Sequence, residues 1–140
     1  MTEIRLLTPN DFEEVLDFWR YIPGMGIVEK DDTPEGFARF LRRNPDSCFA
    51  AVKDGKIVGT ILAGHDGRRG HLYHVAVNPA ERGQGIATQL VNRAMNALAA
   101  AGITKTALVA FCDNEDGNAF WEKLGFTQRP DLVYRNKNNL

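Results

Sequence analysis

Cysteine, net charge and long apolar stretches are all scarce in this sequence of 140 residues. Its two cysteines, Cys48 and Cys112, lie far apart and form no CxxC or Cys/His pattern, which argues against a disulfide framework or a zinc site. We interpret both as reduced core thiols. The 17 basic and 18 acidic residues nearly balance, so bulk charge indicates neither a nucleic-acid partner nor a membrane-surface partner.

Targeting and membrane-spanning segments are missing as well. Residues 1–5 lack the basic start and apolar core of a signal peptide, and no window is apolar for the length that crosses a bilayer. Internal repeats, low-complexity tracts and Pro/Gly/Ser-rich linkers are also absent. These absences predict a cytoplasmic protein with a single domain over residues 1–140.

The sequence does contain a mixed succession of strand and helix patterns. Asp54-Gly55 lies between two apolar runs and predicts a tight hairpin, because glycine tolerates a positive φ. Gly102 and Gly125 are typical of the position that follows a helix. Periodicity and end signals predict strands over residues 3–7, 48–53, 56–64, 71–77, 105–111 and 126–135, the last of them interrupted at Pro130, and helices over residues 12–22, 34–44, 84–101 and 114–124.

This order is strand, two helices, three strands, helix, strand, helix, strand. Each helix pattern has one apolar face that has to be buried, and a central sheet with helices on both of its faces buries all of them. The sequence therefore predicts a fold of the α/β class, with helices and strands mixed along the chain (α+β).

The turn over residues 82–87 has the features of a phosphate site. The first N–H groups of a helix have no internal partners and the helix dipole is positive there, so Gly83 and Gly85 would let an anion approach closely. Arg82 adds a permanent positive charge that suits phosphate oxygens. A purely structural helix start is the alternative.

Two motifs indicate which phosphate ligand this is. The sequence has neither GxxxxGK(S/T) nor GxGxxG. Arg82-x-x-Gly85-x-Ala87 resembles the acyl-CoA signature R/Q-x-x-G-x-G/A of the Gcn5-related N-acetyltransferases (GNAT family). The segment 114–126, Asn-x-x-Gly-x-x-Phe-Trp-x-Lys-x-Gly-Phe, is similar to the family's later motif N-x-x-A-x-x-L/F-Y-x-K-x-G-F. The resemblance extends over residues 4–135 and implies the GNAT fold with a mixed central sheet.

The resemblance implies that acetyl-CoA is the co-substrate and that no metal is needed. CoA would lie between the strands at 71–77 and 105–111. The backbone around Ala76, at Val75 and Val77, would pair with the pantetheine arm, and the amide near Val75 would stabilise the oxyanion. The resemblance assigns the pyrophosphate to Arg82, Gly83, Gln84, Gly85, Ile86 and Ala87, and it adds Asn114, Phe120, Trp121 and Lys123 from the second motif.

The sequence departs from the family at the step that protonates the leaving thiolate. Trp121 stands where many relatives have a tyrosine, and an indole N–H donates a hydrogen bond but is no acid near neutral pH. A thiol with a pKa of roughly 8.5 still leaves when it is only hydrogen-bonded. For the remaining proton transfers the candidates are Tyr73, His74 and Tyr134, with Glu35 and Asp113 as further alternatives.

Strand alternation would place Tyr73 and His74 on opposite faces, so that at most one of them points at the thioester. For His74, a structural role and a catalytic role both stay open.

The resemblance places the acceptor between segments 21–32 and 125–134. The first segment combines carboxylates with apolar side chains, which suits a cationic amine: Tyr21, Met25, Glu29, Asp31 and Asp32. The implied activity is N-acetylation by an acetyl-CoA-dependent acetyltransferase, an acyltransferase acting on a primary amine of a protein N-terminus or a small molecule. Direct attack would form a tetrahedral intermediate. A non-catalytic acyl-CoA-binding sensor is the alternative, and a homodimer is one open assembly.

Overall fold

The computed structural model describes all 140 residues, which divide into two compact units, residues 1–108 and 109–140. The first unit contains the strands β1 Thr2–Leu6, β2 Phe49–Lys53, β3 Lys56–His65, β4 Gly70–Val77 and β5 Thr106–Ala107, and the helices α1 Phe12–Tyr21, α2 Pro34–Arg43 and α3 Ile86–Ala100. The second unit contains α4 Glu115–Lys123. No helix of the chain combines the length and the apolar composition needed to cross a membrane. The single domain over residues 1–140 stays a prediction.

The five strands form one mixed sheet in the order β1-β2-β3-β4-β5. The first four strands are antiparallel to their neighbours, and β5 runs parallel to β4. The predicted hairpin joins β2 to β3, and both turn residues have a positive φ, +51° at Asp54 and +75° at Gly55. A type I′ turn requires this conformation at both central positions.

Helices cover both faces of the sheet, as predicted. β3 is buried over nearly its whole length, which a strand covered on one face would not be. A Cβ placed at Gly59 would lie 3.1 Å from Leu90 of α3, whereas a Cβ placed at Gly64 would lie 2.6 Å from Phe40 of α2. Helix α3 therefore packs on one face, and α2 packs on the other.

The packing of α1 and α2 against the sheet depends on one fully buried aromatic residue. Trp19 of α1 lies edge-on to Phe37 of α2, with ring centroids 6.3 Å apart. Its indole Nε1 donates a hydrogen bond of 2.9 Å to Thr60 Oγ1 on β3, so the polar edge of the ring is satisfied inside the core. Both helices are thereby fixed over the middle of β3.

The sheet has five strands, and the predicted sixth strand over residues 126–135 does not form. Pro130 has no N–H to donate to a neighbouring strand, and the side chains of Leu132, Val133 and Tyr134 are exposed. The fifth strand is also shorter than the predicted 105–111, because it pairs with only Gly70 and His71 of β4. Both predictions were wrong because a strand depends on a partner, which the periodicity of one segment does not reveal.

The second unit confirms the predicted last helix. Asn114 Oδ1 accepts a hydrogen bond of 3.1 Å from the Gly117 N–H and so caps α4. A Cβ at Gly117 would collide with the Asn114 side chain in its present orientation. The centroid of the Trp121 ring lies 5.0 Å from that of the Phe120 ring and 5.2 Å from that of the Phe126 ring.

Candidate active site

A bulge in β4 shapes the centre of the candidate site. Thr60 of β3 pairs with Ala76 and Leu62 pairs with Tyr73, so β4 carries one extra residue between these two pairs. His74 lies in the bulge with a φ of +47°, which is uncommon for a residue with a Cβ. The bulge interrupts the alternation, and Tyr73 and His74 line the same cleft. The predicted separation of these two side chains onto opposite faces is therefore wrong.

The outer edge of β4 is open beyond its short pairing with β5. At the Val77 end of the strand, the Asn78 N–H donates a hydrogen bond of 2.8 Å to the Val58 carbonyl oxygen of β3. Backbone groups alternate between the two sides of a strand, so those of Val77 and Val75 face the open edge, while the Ala76 side chain is buried in the core. An extended ligand can add itself to such an edge as a further strand.

The turn before α3 presents an open helix N-terminus. Gly83 and Gly85 have φ values of +80° and +78°, and a Cβ at either position would meet no atom within 4 Å. No side chain caps α3 at Gly85, and its first turn contains no acidic residue. The buried Ile86 fixes the start of the helix in the core. The free N–H groups of the first turn thus face open space, as an anion site requires.

The charges beside this turn are arranged to leave it positive. Glu81 Oε1 lies 2.8 Å from Lys53 Nζ and accepts a hydrogen bond of 3.2 Å from the Gln84 side chain. The contact with Lys53 lowers the pKa of Glu81, so this carboxylate is ionised but paired. Arg82 is exposed and forms no ion pair within the chain, and its charge is available to a ligand.

The side chain of His74 is held by a carboxylate that the sequence analysis did not connect to it. His74 Nε2 lies 2.9 Å from Asp32 Oδ2, and only 14% and 9% of the two side chains are exposed. The centroid of the Trp19 ring lies 4.4 Å from that of the imidazole. Thr60 Oγ1 donates a hydrogen bond of 3.0 Å to the His74 carbonyl oxygen. Asp32 Oδ2 also accepts a hydrogen bond of 2.8 Å from the Val28 N–H. These contacts fix the imidazole from several sides.

The environment of Asp32 keeps its carboxylate ionised. Burial pushes the pKa of Asp32 upward, but the hydrogen bonds from His74 and from the Val28 N–H outweigh burial and leave the pKa below its ordinary value. An ionised Asp32 can accept a hydrogen bond from Nε2–H of His74, and in the tautomer that donates it the lone pair lies on Nδ1. A carboxylate-oriented imidazole of this kind can take up a proton and be stabilised as imidazolium.

A cleft of about 410 Å³ opens between α2, the segment before it and β4, and we name it the α2–β4 cleft. His74 and Tyr73 line it from β4, and Phe40 lines it from α2 with its ring edge-on to Tyr73 at 5.7 Å. A Cβ at Gly36 would collide with the Asp31 carbonyl oxygen, so this glycine lets the segment before α2 fold back against its first turn. That fold places Asp32 at His74.

Several predicted residues belong to the second unit, and their roles stay predictions. Tyr134 is 68% exposed, and its hydroxyl is approached at 3.5 Å by Asn136 Nδ2. The others are Asn114, Phe120, Trp121 and Lys123.

The two cysteines differ in exposure. Cys112 is exposed, so its interpretation as a core residue was wrong. Cys48 is buried, and burial raises the pKa of its thiol to about 12.

Comparison with known proteins gives a consistent result. Residues 12–126 match the model of the acetyltransferase (GNAT) family. An acetyltransferase of Sodalis glossinidius is 34% identical over 136 residues, which cover 96% of this chain and 94% of that protein.

Solved structures show the same fold. The aminoglycoside N-acetyltransferase AAC(6')-Iy, in complex with a bisubstrate analogue of CoA, has a TM-score of 0.77 at 20% identity and matches over 99% of both chains. A ribosomal-protein-alanine N-acetyltransferase from Brucella melitensis has a TM-score of 0.74 at 21% identity, over 99% of this chain and 100% of the other.

Proposed function

Because the chain belongs to the acetyltransferase (GNAT) family, we propose that it moves an acetyl group from acetyl-CoA to a primary amine of a protein N-terminus or a small molecule. The proposal is carried by one observation, the open edge of β4 that leads to the uncapped N-terminus of α3. The two similar enzymes with solved structures are named for an aminoglycoside and for a ribosomal protein, so amines of both kinds are compatible with this fold.

The binding of CoA uses backbone groups for the most part. The pantetheine amides pair with the backbone of Val75 and Val77, and the pyrophosphate accepts hydrogen bonds from the N–H groups of residues 83–87. Arg82 adds its charge to the phosphates. The contributions of Asn114, Phe120, Trp121 and Lys123 rest on the resemblance of the second motif alone.

The chemistry begins with removal of a proton from the acceptor. A primary amine is mostly an ammonium ion at pH 7, and His74 Nδ1 accepts a proton from it while Asp32 stabilises the imidazolium. The amine nitrogen then attacks the thioester carbon, and the backbone N–H near Val75 stabilises the oxyanion of the tetrahedral intermediate. The nitrogen loses its second proton to solvent, and the C–S bond breaks as the amide forms. The thiolate leaves without a tyrosine acid, which its roughly 8.5 pKa permits.

The alternative, a non-catalytic acyl-CoA sensor, is favoured by Trp121 at the position of the usual acid. The imidazole and carboxylate in the α2–β4 cleft favour catalysis, since a sensor has no need of an oriented base. Thiol release from acetyl-CoA, measured against a panel of amines and N-terminal peptides, separates the two functions. Release that depends on the acceptor supports the enzyme, and calorimetric binding of acetyl-CoA without such release supports the sensor.

A further inference from the structure

The charged side chains of the α2–β4 cleft are distributed unevenly along α2. At the N-terminal end of α2, where His74 lies, the cleft is lined by three carboxylates, Asp31, Asp32 and Glu35, and by one lysine, Lys30, so carboxylates outnumber cations there. Two arginines, Arg39 and Arg43, line it further along the helix. They are separated by four residues and therefore lie on one face of α2, about 6 Å apart. The cleft thus has an acidic end and a basic end.

The two arginines have no acidic partner in the protein. Neither forms an ion pair or a side-chain hydrogen bond, although Glu35 precedes Arg39 by one helical turn. Stabilisation of the helix dipole accounts for basic residues in the last turn, and Arg42 provides this as well as Arg43 does. The dipole does not account for the shared orientation of Arg39 and Arg43 towards the cleft.

The aromatic contacts show how the two ends are spaced. Phe37 contacts Trp19, which contacts His74, whereas Phe40 contacts Tyr73. Arg43 lies six residues after Phe37, which corresponds to about 9 Å along the axis of α2. Between the two ends the wall is apolar, formed by Phe40 and Leu62 beside the Tyr73 ring. An occupant that matches this wall has a short apolar stem with opposite charges at its two ends.

We propose that the acceptor is a small zwitterionic amine, whose amino group lies at His74 and Asp32 and whose carboxylate or phosphonate is bound by Arg39 and Arg43. The inference rests on the proposed function, because it names the acceptor of that reaction. Arginine suits this role, since its guanidinium bonds a planar oxyanion through two parallel N–H groups. The attack itself needs only the amine, so the anionic group contributes to binding rather than to the chemical step.

The experiment measures thiol release from acetyl-CoA with paired acceptors. The pairs are 4-aminobutanoate with butylamine and 5-aminopentanoate with pentylamine, and 3-aminopropylphosphonate distinguishes phosphonate from carboxylate. We expect kcat/KM for the zwitterion to exceed that of its alkylamine by about 10-fold to 100-fold. Equal kcat/KM values within the pairs overturn the inference and leave the proposed function intact. The absence of turnover with every amine and peptide removes both.

Substitutions in α2 assign the effect to the two arginines. In Arg39→Gln and Arg43→Gln we expect KM for the zwitterions to rise about 10-fold or more, with kcat and the alkylamine kinetics nearly unchanged. Arg42→Gln is the matched control, because Arg42 is exposed on the same helix and does not line the cleft. Calorimetric binding of acetyl-CoA verifies that each variant is folded. An N-terminal peptide that is acetylated faster than any zwitterion, and equally fast by the arginine variants, contradicts the inference.

Discussion

Two glycines before α3 hold a backbone conformation that residues with side chains rarely adopt. Gly85 has a φ of +78° and is followed directly by the first turn of the helix. An aspartate there would be strained and would place a negative charge where the phosphates are proposed to bind. The requirement for a positive φ without a negative side chain is local, because it concerns Gly85 and the N–H groups next to it.

We predict that Gly85→Asp lowers the affinity for CoA by about 100-fold or more, since like charges in contact cost several kcal/mol. Isothermal calorimetry with CoA measures the effect. Gly102→Asp is the matched control, because Gly102 has a φ of +85°, equally open surroundings and a position just beyond the other end of the same helix. If both variants bind CoA as the parent protein does, the phosphate site is misplaced.

His74 and Asp32 illustrate chemistry that two residues perform together. We predict that His74→Gln lowers kcat by about 100-fold or more, and that Asp32→Asn lowers it as well, since the imidazole loses its orienting partner. Affinity for CoA should persist in Asp32→Asn, because Asp32 lies neither at the turn before α3 nor on β4. The control is His71→Gln, which alters a histidine on the same strand outside the cleft. Steady-state kinetics would refute this role if His74→Gln kept the parent's kcat.

At the scale of elements, the distance between α2 and the sheet sets the width of the cleft. Gly64 on β3 lies directly beneath α2, and an added Cβ would lie 2.6 Å from Phe40 and 2.7 Å from Asn44. Asn44 Oδ1 also accepts a hydrogen bond of 3.1 Å from the His65 N–H, which ties the end of α2 to β3. A methyl group at Gly64 therefore requires the Phe40 and Asn44 side chains to shift.

We predict that Gly64→Ala destabilises the protein by about 1–3 kcal/mol and raises KM for the acceptor, because overpacking displaces the Phe40 ring, which lines the α2–β4 cleft. Urea unfolding and steady-state kinetics measure the two effects. Gly59→Ala is the comparison on the opposite face, where the added Cβ would meet α3 at 3.1 Å and the loss should be smaller. If Gly64→Ala destabilises the protein but leaves KM for the acceptor unchanged, the packing of α2 on β3 does not determine the shape of the cleft.

For the whole molecule, buried or paired carboxylates determine how stability depends on pH. Asp11 receives two hydrogen bonds of 2.9 Å from Arg5 and one of 2.8 Å from the Thr8 N–H. Burial raises the pKa of Asp11, but the bonds from Arg5 and Thr8 leave it below the ordinary 3.8. A depressed pKa in the folded state contributes stability above the unfolded-state value, and this contribution is lost as the pH falls through the folded-state pKa.

We therefore predict that Asp11→Asn destabilises the protein at pH 7 by about 1–2 kcal/mol, and that the difference from the parent protein shrinks below about pH 4. The free energy of unfolding, measured in urea at pH 7, 5 and 3, tests this. Asp17→Asn is the control, because Asp17 is 80% exposed and its contact with Arg20 is long, at 3.9 Å. A difference between Asp11→Asn and the parent that is the same at pH 7 and pH 3 would contradict the linkage.

Much of the fold and part of the candidate site could be predicted from contiguous residues. The hairpin at Asp54-Gly55 was confirmed, because it depends on backbone conformation within a few residues. The family also followed from two contiguous motifs, and residues 12–126 match its model. In these cases the chemical requirement and the residues that meet it lie in one short segment.

Tertiary structure alone decided the rest. The bulge at His74 brings Tyr73 and His74 into one cleft, and the partner of His74 is Asp32, 42 positions earlier in the chain. The length of β5 and the lack of a sixth strand depended in the same way on which backbone groups found a partner. The sequence by itself thus determined the local turns and the glycine-containing turn before α3. Strand extent, bulge position and charge pairing depend on residues far apart in the chain, and only folding brings those together.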